Sequence, residues 1–531
     1  MEMISWPLLL VFTPLLGVVT LLLMPSDSGR EAKNAKHVGL WTTGFSFVLS
    51  LIMATIFDPL QAGFQFQETW FPFLFKRNPH GCGVASFESL GLRVNIDGLS
   101  LAFILLTAFL FFLALWSSWK SVKVRVKHYV MAFLVLESAL FAFFMAQNLL
   151  LFFILFEFVL VPMFFIVGIW GGENRLYAAI KFFVYTFAAS LLLFVSVAYV
   201  YWKVGSFDMN VINPWRFNDT EQFWLALGFF IPFAVKVPMV PVHTWLPDTH
   251  VQAPTAGSVI LAGILLKLGG YGILRFLLPV FPSGVVALQP FVYALSVIAI
   301  IYASLVAFSQ QDIKKLVAYS SIAHMGIVTI GLFLMTTEGV QGAIFQMISH
   351  GVISGGLFLV IGMLYERLHT RDRDAFGGVA ATMPFFATAF LVLTLGSLGL
   401  PGTMGFVGEI MVLLSLFQEN MVWGALAATG ALWSAMYSLW LYRKIVWEVP
   451  SSDKVKHLGE IVWRERLILA PLAFLVILFG VWPQPILKMV QSTDVKAIVR
   501  GRAEAFKARA AAVRHDMARS AERGWRPDVS H

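Results

Sequence analysis

The sequence predicts an all-α polytopic membrane protein, and three observations support this fold class. Of the 531 residues, 58% are hydrophobic and only 13% are charged, which is about half the charged fraction of an ordinary soluble chain. The mean hydropathy is +0.78. Apolar stretches of about 18 or more residues recur along the whole chain, and such stretches are long enough to span a bilayer. Together these values exclude the soluble globular, disordered, coiled-coil and disulfide-scaffold classes.

At about 20 apolar residues per span, the chain divides into about 14 transmembrane helices. The predicted organisation has five parts, which are described by residue range: 1–127 with helices 1–3 and an exposed loop near 58–95, 128–280 with helices 4–8, 281–445 with helices 9–13, 446–490 with helix 14, and 491–531 as a basic amphiphilic C-terminal tail. Two interpretations of the tail stay open. It is either a solvated or headgroup-associated surface helix, or a segment that docks onto a partner subunit.

The distribution of Lys and Arg predicts the orientation of the helices. Loops on one side of the predicted membrane carry 19 of these residues, whereas loops on the other side carry 5. Because cytoplasmic loops are enriched in Lys and Arg, we place the richer side inside and the N-terminus outside. The nine Lys and Arg of residues 492–531 disagree with this arrangement, since the tail then lies outside.

A few ionisable side chains lie within the predicted spans, where each costs at least about 2.5 kcal/mol to insert. They are Glu137, Glu157, Lys181, Lys236, Lys267, Arg275 and Glu409, together with His324 and His350. Burial lowers the pKa of a lysine and raises the pKa of a carboxyl group, so buried groups of both kinds can exchange protons near neutral pH. Such a set predicts a proton relay. For Lys181 and Arg275 an interfacial anchor is the alternative, and for Glu137, His324 and His350 it is a structural hydrogen bond.

Two spans contain helix-breaking residues beside a charge. Pro238 and Pro241 follow Lys236, and a proline cannot continue the hydrogen bonds of a helix. A Gly- and Pro-rich segment at residues 399–405 precedes Glu409. Irregular backbone at membrane depth is typical of transport sites when it occurs at corresponding positions of two repeats. We therefore predict broken helices 7 and 12 and two inverted five-helix repeats, spans 4–8 and 9–13, with a pair of unrelated kinks as the alternative.

Composition also limits cofactors and partners. The single cysteine, Cys82, allows neither an intrachain disulfide nor a cysteine-ligated metal site. The sequence has no oxygen-rich cage of the kind that binds Na⁺ or Ca²⁺, so we expect no metal and no cofactor in this chain. Basic residues alternate with apolar segments rather than forming one patch, which argues against a nucleic-acid partner and leaves lipids as the surroundings.

Several motifs resemble one known family. The segment Trp245–Val259, which reads WLPDTHVQAPTAGSV, closely resembles the signature of antiporter-like proton-translocating subunits. This family includes the large membrane-arm subunits of respiratory complex I and the multisubunit cation/proton antiporters. Residues 156–163, 318–326 and 400–409 are similar to the branch of the family known as chain 4 or subunit M. A glutamate at position 409 is typical of that branch, whereas its sister subunits resemble one another in having a lysine there.

The resemblance implies a function and a role for each candidate residue. The chain would be a translocase subunit of NADH:ubiquinone oxidoreductase that pumps protons through a Glu/Lys/His relay. By this resemblance, Glu157 pairs with Lys236 as a switch, Lys267 connects the two halves and Glu409 is the exit site. The supporting relay comprises His243, His324, His350, Glu137 and Arg275.

The resemblance also implies the partners and the location. FMN, iron–sulfur clusters and quinone are expected in partner subunits, and the direct partners are other membrane-arm subunits, including neighbouring antiporter-like subunits. We expect a bacterial plasma (inner) membrane, with the mitochondrial inner membrane as the alternative. A subunit of a multisubunit Na⁺/H⁺ antiporter and a passive membrane scaffold remain the competing functions.

Overall fold

A computed structural model describes residues 5–25, 29–61, 63–70, 92–491 and 495–507. Cys82, most of the predicted loop at 58–95 and residues 508–531 of the predicted tail lie outside this part of the chain. The helices of the first half are α1 (Trp6–Leu23), α2 (Gly29–Ile56), α3 (Gly98–Ser117), α4 (Val126–Met145), α5 (Leu149–Phe158), α6 (Leu160–Trp170), α7 (Arg175–Val204), α8 (Asp219–Lys236), α9 (Trp245–Gln252), α10 (Thr255–Ile260), α11 (Leu266–Gly272) and α12 (Leu278–Val280).

The second half is also helical. Its helices are α13 (Pro282–Ser309), α14 (Ile313–Leu334), α15 (Thr337–Leu368), α16 (Val379–Thr382), α17 (Pro384–Ser397), α18 (Met404–Glu419), α19 (Met421–Val446), α20 (Asp453–Lys456), α21 (Trp463–Val481), α22 (Gln484–Gln491) and α23 (residues 495–507). Short 3₁₀ turns occur at Pro214–Arg216 and Arg373–Ala375. The helical fold class predicted from composition is therefore confirmed.

A small sheet was not predicted. Strand β1 (Phe66–Trp70) pairs antiparallel with β2 (Leu92–Ile96), and Phe66 lies opposite Ile96. Both strands fall within the segment that the sequence predicted as a loop. Their short length and the long stretch between them left no hydrophobic alternation that would indicate a hairpin.

Ten described helices or helical segments are long and apolar enough to cross a membrane, and the number is eleven if α21 and α22, which meet at 74°, form one span. Their outward faces are apolar. On α7, Leu191, Phe194 and Val195 are all exposed, and a contiguous apolar surface of this kind indicates contact with lipid or with another membrane protein. By contrast, α10–α12, α14 and α15 are almost entirely buried and form the centre of the bundle.

The structure confirms the break that the sequence predicted after Lys236. Helix α8 ends at Lys236 and α9 begins at Trp245. The backbone of Pro238 and Pro241 donates no hydrogen bonds, and the Trp245 indole nitrogen instead donates to the free carbonyl of Val235 at 2.9 Å. This contact satisfies a buried carbonyl group that would otherwise be costly at membrane depth.

The break before Glu409 is also confirmed. Helix α17 ends at Ser397 and α18 begins at Met404, so a non-helical segment separates the two halves. Gly405 permits the halves to approach closely, because a Cβ atom at this position would lie 2.0 Å from the carbonyl oxygen of Gly396.

The helical segment that contains Lys267 has two irregular turns that sequence periodicity did not predict. π-helical turns at Leu261–Leu265 and Ile273–Leu277 flank α11, on which Lys267 lies. A π turn inserts an extra residue into the helix and changes the direction of the side chains that follow, and such turns are frequent at functional sites.

Candidate functional site

Lys236 and Glu157 lie near each other at the end of α8 and on α5. The Lys236 ammonium is 1% exposed and lies 5.1 Å from the centre of the Phe156 ring and 5.5 Å from that of Phe182. Its Nζ atom has no hydrogen-bond partner among the described residues, and neither has Oε1 of Glu157. The charges of the two groups interact electrostatically, but no direct ion pair joins these two described side chains. The two predicted partners thus lie close in space but do not form an ion pair.

Lys267 and His350 form a direct buried contact. The Nζ atom of Lys267 lies 2.7 Å from Nδ1 of His350 and also donates a hydrogen bond to the carbonyl of Ala262. Both side chains are buried. The Nε2 atom of His350 has no hydrogen-bond partner among the described residues, so this face of the ring is available to exchange a proton with a neighbour.

Glu409 lies in a second polar cluster, around His324. The Oε1 atom of Glu409 accepts from Gln346 at 3.0 Å and lies 3.0 Å from Nδ1 of His324. On the other side of the His324 ring, Nε2 lies 3.3 Å from the Tyr437 hydroxyl and 3.4 Å from the Ser397 hydroxyl. Every one of these groups can donate or accept a proton or a hydrogen bond.

Gly399 makes room for the Glu409 carboxylate. Its φ of +73° is a left-handed conformation that favours glycine. A Cβ atom at this position would lie 2.6 Å from Oε2 of Glu409. The glycine of the α17–α18 break therefore has a specific role beside the charge, which the sequence pattern alone did not reveal.

A small cavity separates the two histidines. The ring centres of His324 and His350 are 5.9 Å apart. A cavity of about 10 Å³ lies beside both rings, and the polar residues Ser320, Ser349 and Ser397 contribute to its lining. A polar space of this size holds about one water molecule. The side chains of Lys267, His350, His324 and Glu409 thus follow one another as a row, with the small cavity beside its middle.

The remaining predicted site residues lie apart from this row. Both carboxylate oxygens of Glu137 are buried without a hydrogen-bond partner among the described residues. His243 lies in the α8–α9 break, with its ring 5.7 Å from that of Tyr302. Arg275 pairs with Asp97 at 2.6 Å, so it joins the second π turn to the residue that caps α3.

The sequence interpretation missed several polar residues of the site. Gln346 and Tyr437 contact Glu409 and His324, but neither carries a charge that would have made it conspicuous in an apolar helix. His250 is fully buried on α9, inside the motif whose resemblance was recognised, yet no role was assigned to it. Lys314 was counted among the loop charges that set orientation, whereas the structure places it in the first turn of α14, only 6% exposed.

Comparison with known proteins identifies the family. The family described as "NADH:quinone oxidoreductase/Mrp antiporter, TM" matches residues 146–434. The chain belongs to this family. It is 46% identical over 497 residues to NADH-quinone oxidoreductase subunit M of Rhodobacter capsulatus, a match that covers 91% of this chain and 94% of the relative.

Two further proteins are similar to this chain. NADH-ubiquinone oxidoreductase chain 4 of Chondrus crispus is 43% identical over 496 residues, covering 93% of this chain and 97% of the relative. Among solved structures, a chain of respiratory complex I from Thermus thermophilus with bound NADH superposes with a TM-score of 0.80 at 29% identity, covering 93% of this chain and 99% of that one. The resemblance to the subunit M or chain 4 branch of the family is confirmed.

Proposed function

We propose that this chain is a proton-translocating membrane-arm subunit of an NADH:quinone oxidoreductase. The observation that carries the proposal is the row from Lys267 through His350 and His324 to Glu409, which is almost continuous and whose first three members are buried. Ionisable groups within a membrane are expensive, and they are typical of proton pathways. The redox reaction belongs to partner subunits that hold FMN, iron–sulfur clusters and quinone, and this chain supplies the translocase step.

In the proposed mechanism, Lys236 and Glu157 act as the switch. A separated pair and a contacting pair differ in how strongly each partner retains its proton, because an opposite charge within about 4–6 Å favours the charged form. Movement of Glu157 toward Lys236 would therefore change the charge at the break of α8. A proton then passes along the row to Glu409 for release. Moving one charge against 100 mV costs about 2.3 kcal/mol, which the redox reaction must supply.

We also propose that the chain has 14 spans, arranged as two inverted repeats. Helices α5 with α6, α8 with α9, α10 to α12, and α17 with α18 each count as one span, and α19 and α21 complete the set. Helix α8 has 18 residues, and its charges lie at its two ends, with Asp219 and Glu221 in the first turn and Lys236 in the last. The repeats are spans 4–8 and 9–13, with a break beside Lys236 in one and beside Glu409 in the other. The relatives from bacteria favour a bacterial inner membrane, with neighbouring membrane-arm subunits and lipid around the chain.

Glu409→Gln tests the proposed function. In the intact complex in inside-out vesicles, we expect proton pumping driven by NADH to fall about tenfold or more, because a group that transfers a proton is removed. Pumping is measured with a dye that reports the pH difference, and NADH:quinone reductase activity is measured in parallel. Glu448→Gln, in the loop that begins after α19, is the matched control. Normal pumping by an assembled Glu409→Gln complex would contradict the proposal.

The antiporter alternative makes a different prediction. A subunit of a Na⁺/H⁺ antiporter would move protons in response to a Na⁺ gradient in vesicles that receive no NADH. We expect no such movement, and we expect the chain to copurify with flavin and iron–sulfur subunits. Proton movement that depends on Na⁺ and not on NADH would favour the antiporter.

A further inference from the structure

Three cations, Lys36, Lys120 and Arg464, lie together where α3 ends, and we call them the cationic corner. They are on the side of the basic loops, which the distribution of Lys and Arg places in the cytoplasm. Lys36 of α2 reaches the connection between α3 and α4, because its Nζ atom donates to the carbonyls of Trp119 at 2.7 Å and Val122 at 2.9 Å. Lys120 follows the first of these carbonyls and is exposed. Two separate segments of the chain therefore bring cations to this end of α3.

Arg464, in the first turn of α21, completes the cationic corner. A cavity of about 10 Å³ is lined by Arg464, by Ser117 at the end of α3 and by Glu366 of α15, so the start of α21 packs beside the end of α3. The charges of Arg464 and Lys36 act on each other, and those of Arg464 and Lys120 both act on Glu366. The three cations thus form one group, although they come from three different segments.

The described carboxylates leave the cationic corner without an ion pair. None of its members forms one among the described residues, and the Nε and Nη1 atoms of Arg464 are buried without a hydrogen-bond partner there. The carboxylate of Glu465, the next residue, is engaged by Arg367 at 2.6 and 3.2 Å. Water solvates an ordinary loop cation, but buried guanidinium nitrogens need an acceptor. The arrangement therefore favours an anion that is supplied from outside the chain.

A half-exposed apolar strip of α3 leads from the cationic corner toward the middle of the membrane. Its residues recur every three or four positions, so they share one face of the helix. They are Leu105, Phe109, Phe112 and Trp116, which are only partly buried, whereas most other residues of α3 are fully buried. Phe47 of α2 flanks the strip, with its ring centre 5.6 Å from that of Phe109. Lys120 comes four residues after Trp116, so the α3 strip ends at the cationic corner.

A ligand that fits both features has an anionic group at the membrane surface and hydrocarbon chains below it. A phosphodiester accepts charge-assisted hydrogen bonds from guanidinium and ammonium groups. Basic pockets between transmembrane helices on the cytoplasmic side are typical of sites for anionic lipid headgroups. A free phosphate would use the cations alone, and the apolar strip would have no role. A zwitterionic lipid brings its own ammonium group, which the cationic corner repels.

We propose that the cationic corner and the α3 strip bind an anionic phospholipid of the cytoplasmic leaflet. Its phosphate contacts Arg464, Lys120 and Lys36, and an acyl chain lies along the strip. The lipid joins the start of α21 to the ends of α2 and α3. The site takes no part in the row of ionisable groups, so its test is independent of the proposed function.

Photolabelling of the unmodified complex tests the site without any substitution. The probe is a phosphatidylglycerol that carries a diazirine in one acyl chain, and labelled peptides are identified by mass spectrometry after the purified, intact complex is illuminated in detergent. We expect label on the α3 strip, and we expect excess phosphatidylglycerol to remove it while phosphatidylcholine and inorganic phosphate do not. Equal competition by phosphatidylcholine would indicate ordinary solvating lipid, competition by inorganic phosphate would indicate a free-phosphate site, and each result, like an unlabelled strip, would overturn the proposal.

A charge-neutral double variant tests the cations themselves. Lys120→Gln/Arg464→Gln should lower labelling of the α3 strip about tenfold or more, because two cations near the membrane surface are lost. The matched control is Lys454→Gln/Arg466→Gln, since Lys454 is exposed and the guanidinium of Arg466 lies over the Phe385 ring of α17, 5.7 Å from its centre. This control and the charge-preserving Lys120→Arg/Arg464→Lys should stay within a factor of about two. Equal labelling of the neutral variant and its control would overturn the proposal.

Discussion

Lys267 and His350 are 83 residues apart in the chain, yet Nζ of one lies 2.7 Å from Nδ1 of the other. Lys267 comes from the short helix between two π turns, and His350 comes from the middle of α15. The contact joins the half of the chain that holds Lys236 to the half that holds Glu409. It is therefore the point at which the proposed row crosses from one half of the chain to the other.

Loss of this contact is expected to interrupt pumping. His350→Phe keeps an aromatic ring of similar size but removes both nitrogens, so Lys267 keeps only the carbonyl of Ala262 as a partner. We expect NADH-driven pumping to fall about tenfold or more while the complex still assembles, as judged by native gel electrophoresis. His457→Phe, in an exposed position after α20, is the control. Pumping by His350→Phe at the normal rate would show that protons bypass this contact.

Local chemistry explains why both helix breaks were predictable. Proline removes a backbone donor and glycine permits a left-handed turn, and each effect depends only on neighbouring residues. Charges in apolar segments were conspicuous for the same reason. Two of them, Lys267 and Glu409, lie in the row, and Glu157 and Lys236 lie beside the break of α8.

Other parts of the site depended on tertiary contacts and could not be predicted. Lys314 follows a loop in sequence, and only the packing of α14 against α9 buries it. Neither ring nitrogen of His250 has a hydrogen-bond partner among the described residues, which is a property of its surroundings and not of its motif. Likewise, α11 between the two π turns approaches α8 so closely that a Cβ atom at Gly269 would lie 2.7 Å from the carbonyl oxygen of Phe233.

Gly399 and Gly402 provide a matched test of the Glu409 environment. Both have positive φ, so alanine strains the backbone at either position, by about 1 kcal/mol. Only Gly399→Ala would place a methyl group 2.6 Å from Oε2 of Glu409, whereas a Cβ atom at Gly402 meets nothing within 4 Å. We expect Gly399→Ala to reduce pumping much more than Gly402→Ala at similar levels of assembled complex. Equal activities of the two variants would contradict a role for Gly399 in positioning the carboxylate.

The Asp97–Arg275 ion pair is expected to stabilise the fold rather than to carry protons. Asp97 also caps α3 by accepting from the backbone of Ser100 at 3.0 Å, and the pair is nearly inaccessible. Removing one partner of a buried ion pair typically costs about 3–5 kcal/mol. Arg275→Met should therefore reduce the amount of assembled complex and its thermal stability, while Arg443→Met, which breaks an exposed pair with Glu448, should change neither.

Because the ion pair is expected to stabilise the fold and not to carry protons, the Arg275→Met complexes that do assemble should pump protons at the normal rate per complex. Pumping is normalised to the amount of complex measured on a native gel. A stable Arg275→Met complex that fails to pump would assign Arg275 to the relay instead.

Helix α23 packs at the end of the bundle where α18 ends, and an ion pair joins the two helices. Arg502 lies 2.5 Å from Glu419, at the end of α18, and Val495, Ile498 and Ala505 are buried. The described part of the tail is thus docked on its own chain, which favours neither a solvated helix nor a strap that binds only a partner. We expect Arg502→Glu to expose α23 to protease added from the outer side.

Exchanging the two charged residues distinguishes loss of this ion pair from a general effect of the Arg502→Glu substitution. The double variant Arg502→Glu/Glu419→Arg restores opposite charges in reversed order, so protection of α23 should largely return. Surface and partly exposed pairs contribute only about 0–1 kcal/mol, and we therefore expect a several-fold change in the cleavage rate rather than complete loss of protection. Lys507→Glu, an exposed position on the same helix, is the control for charge alone. Equal cleavage of the single and double variants would mean that apolar packing alone, and not Arg502, holds the helix in place.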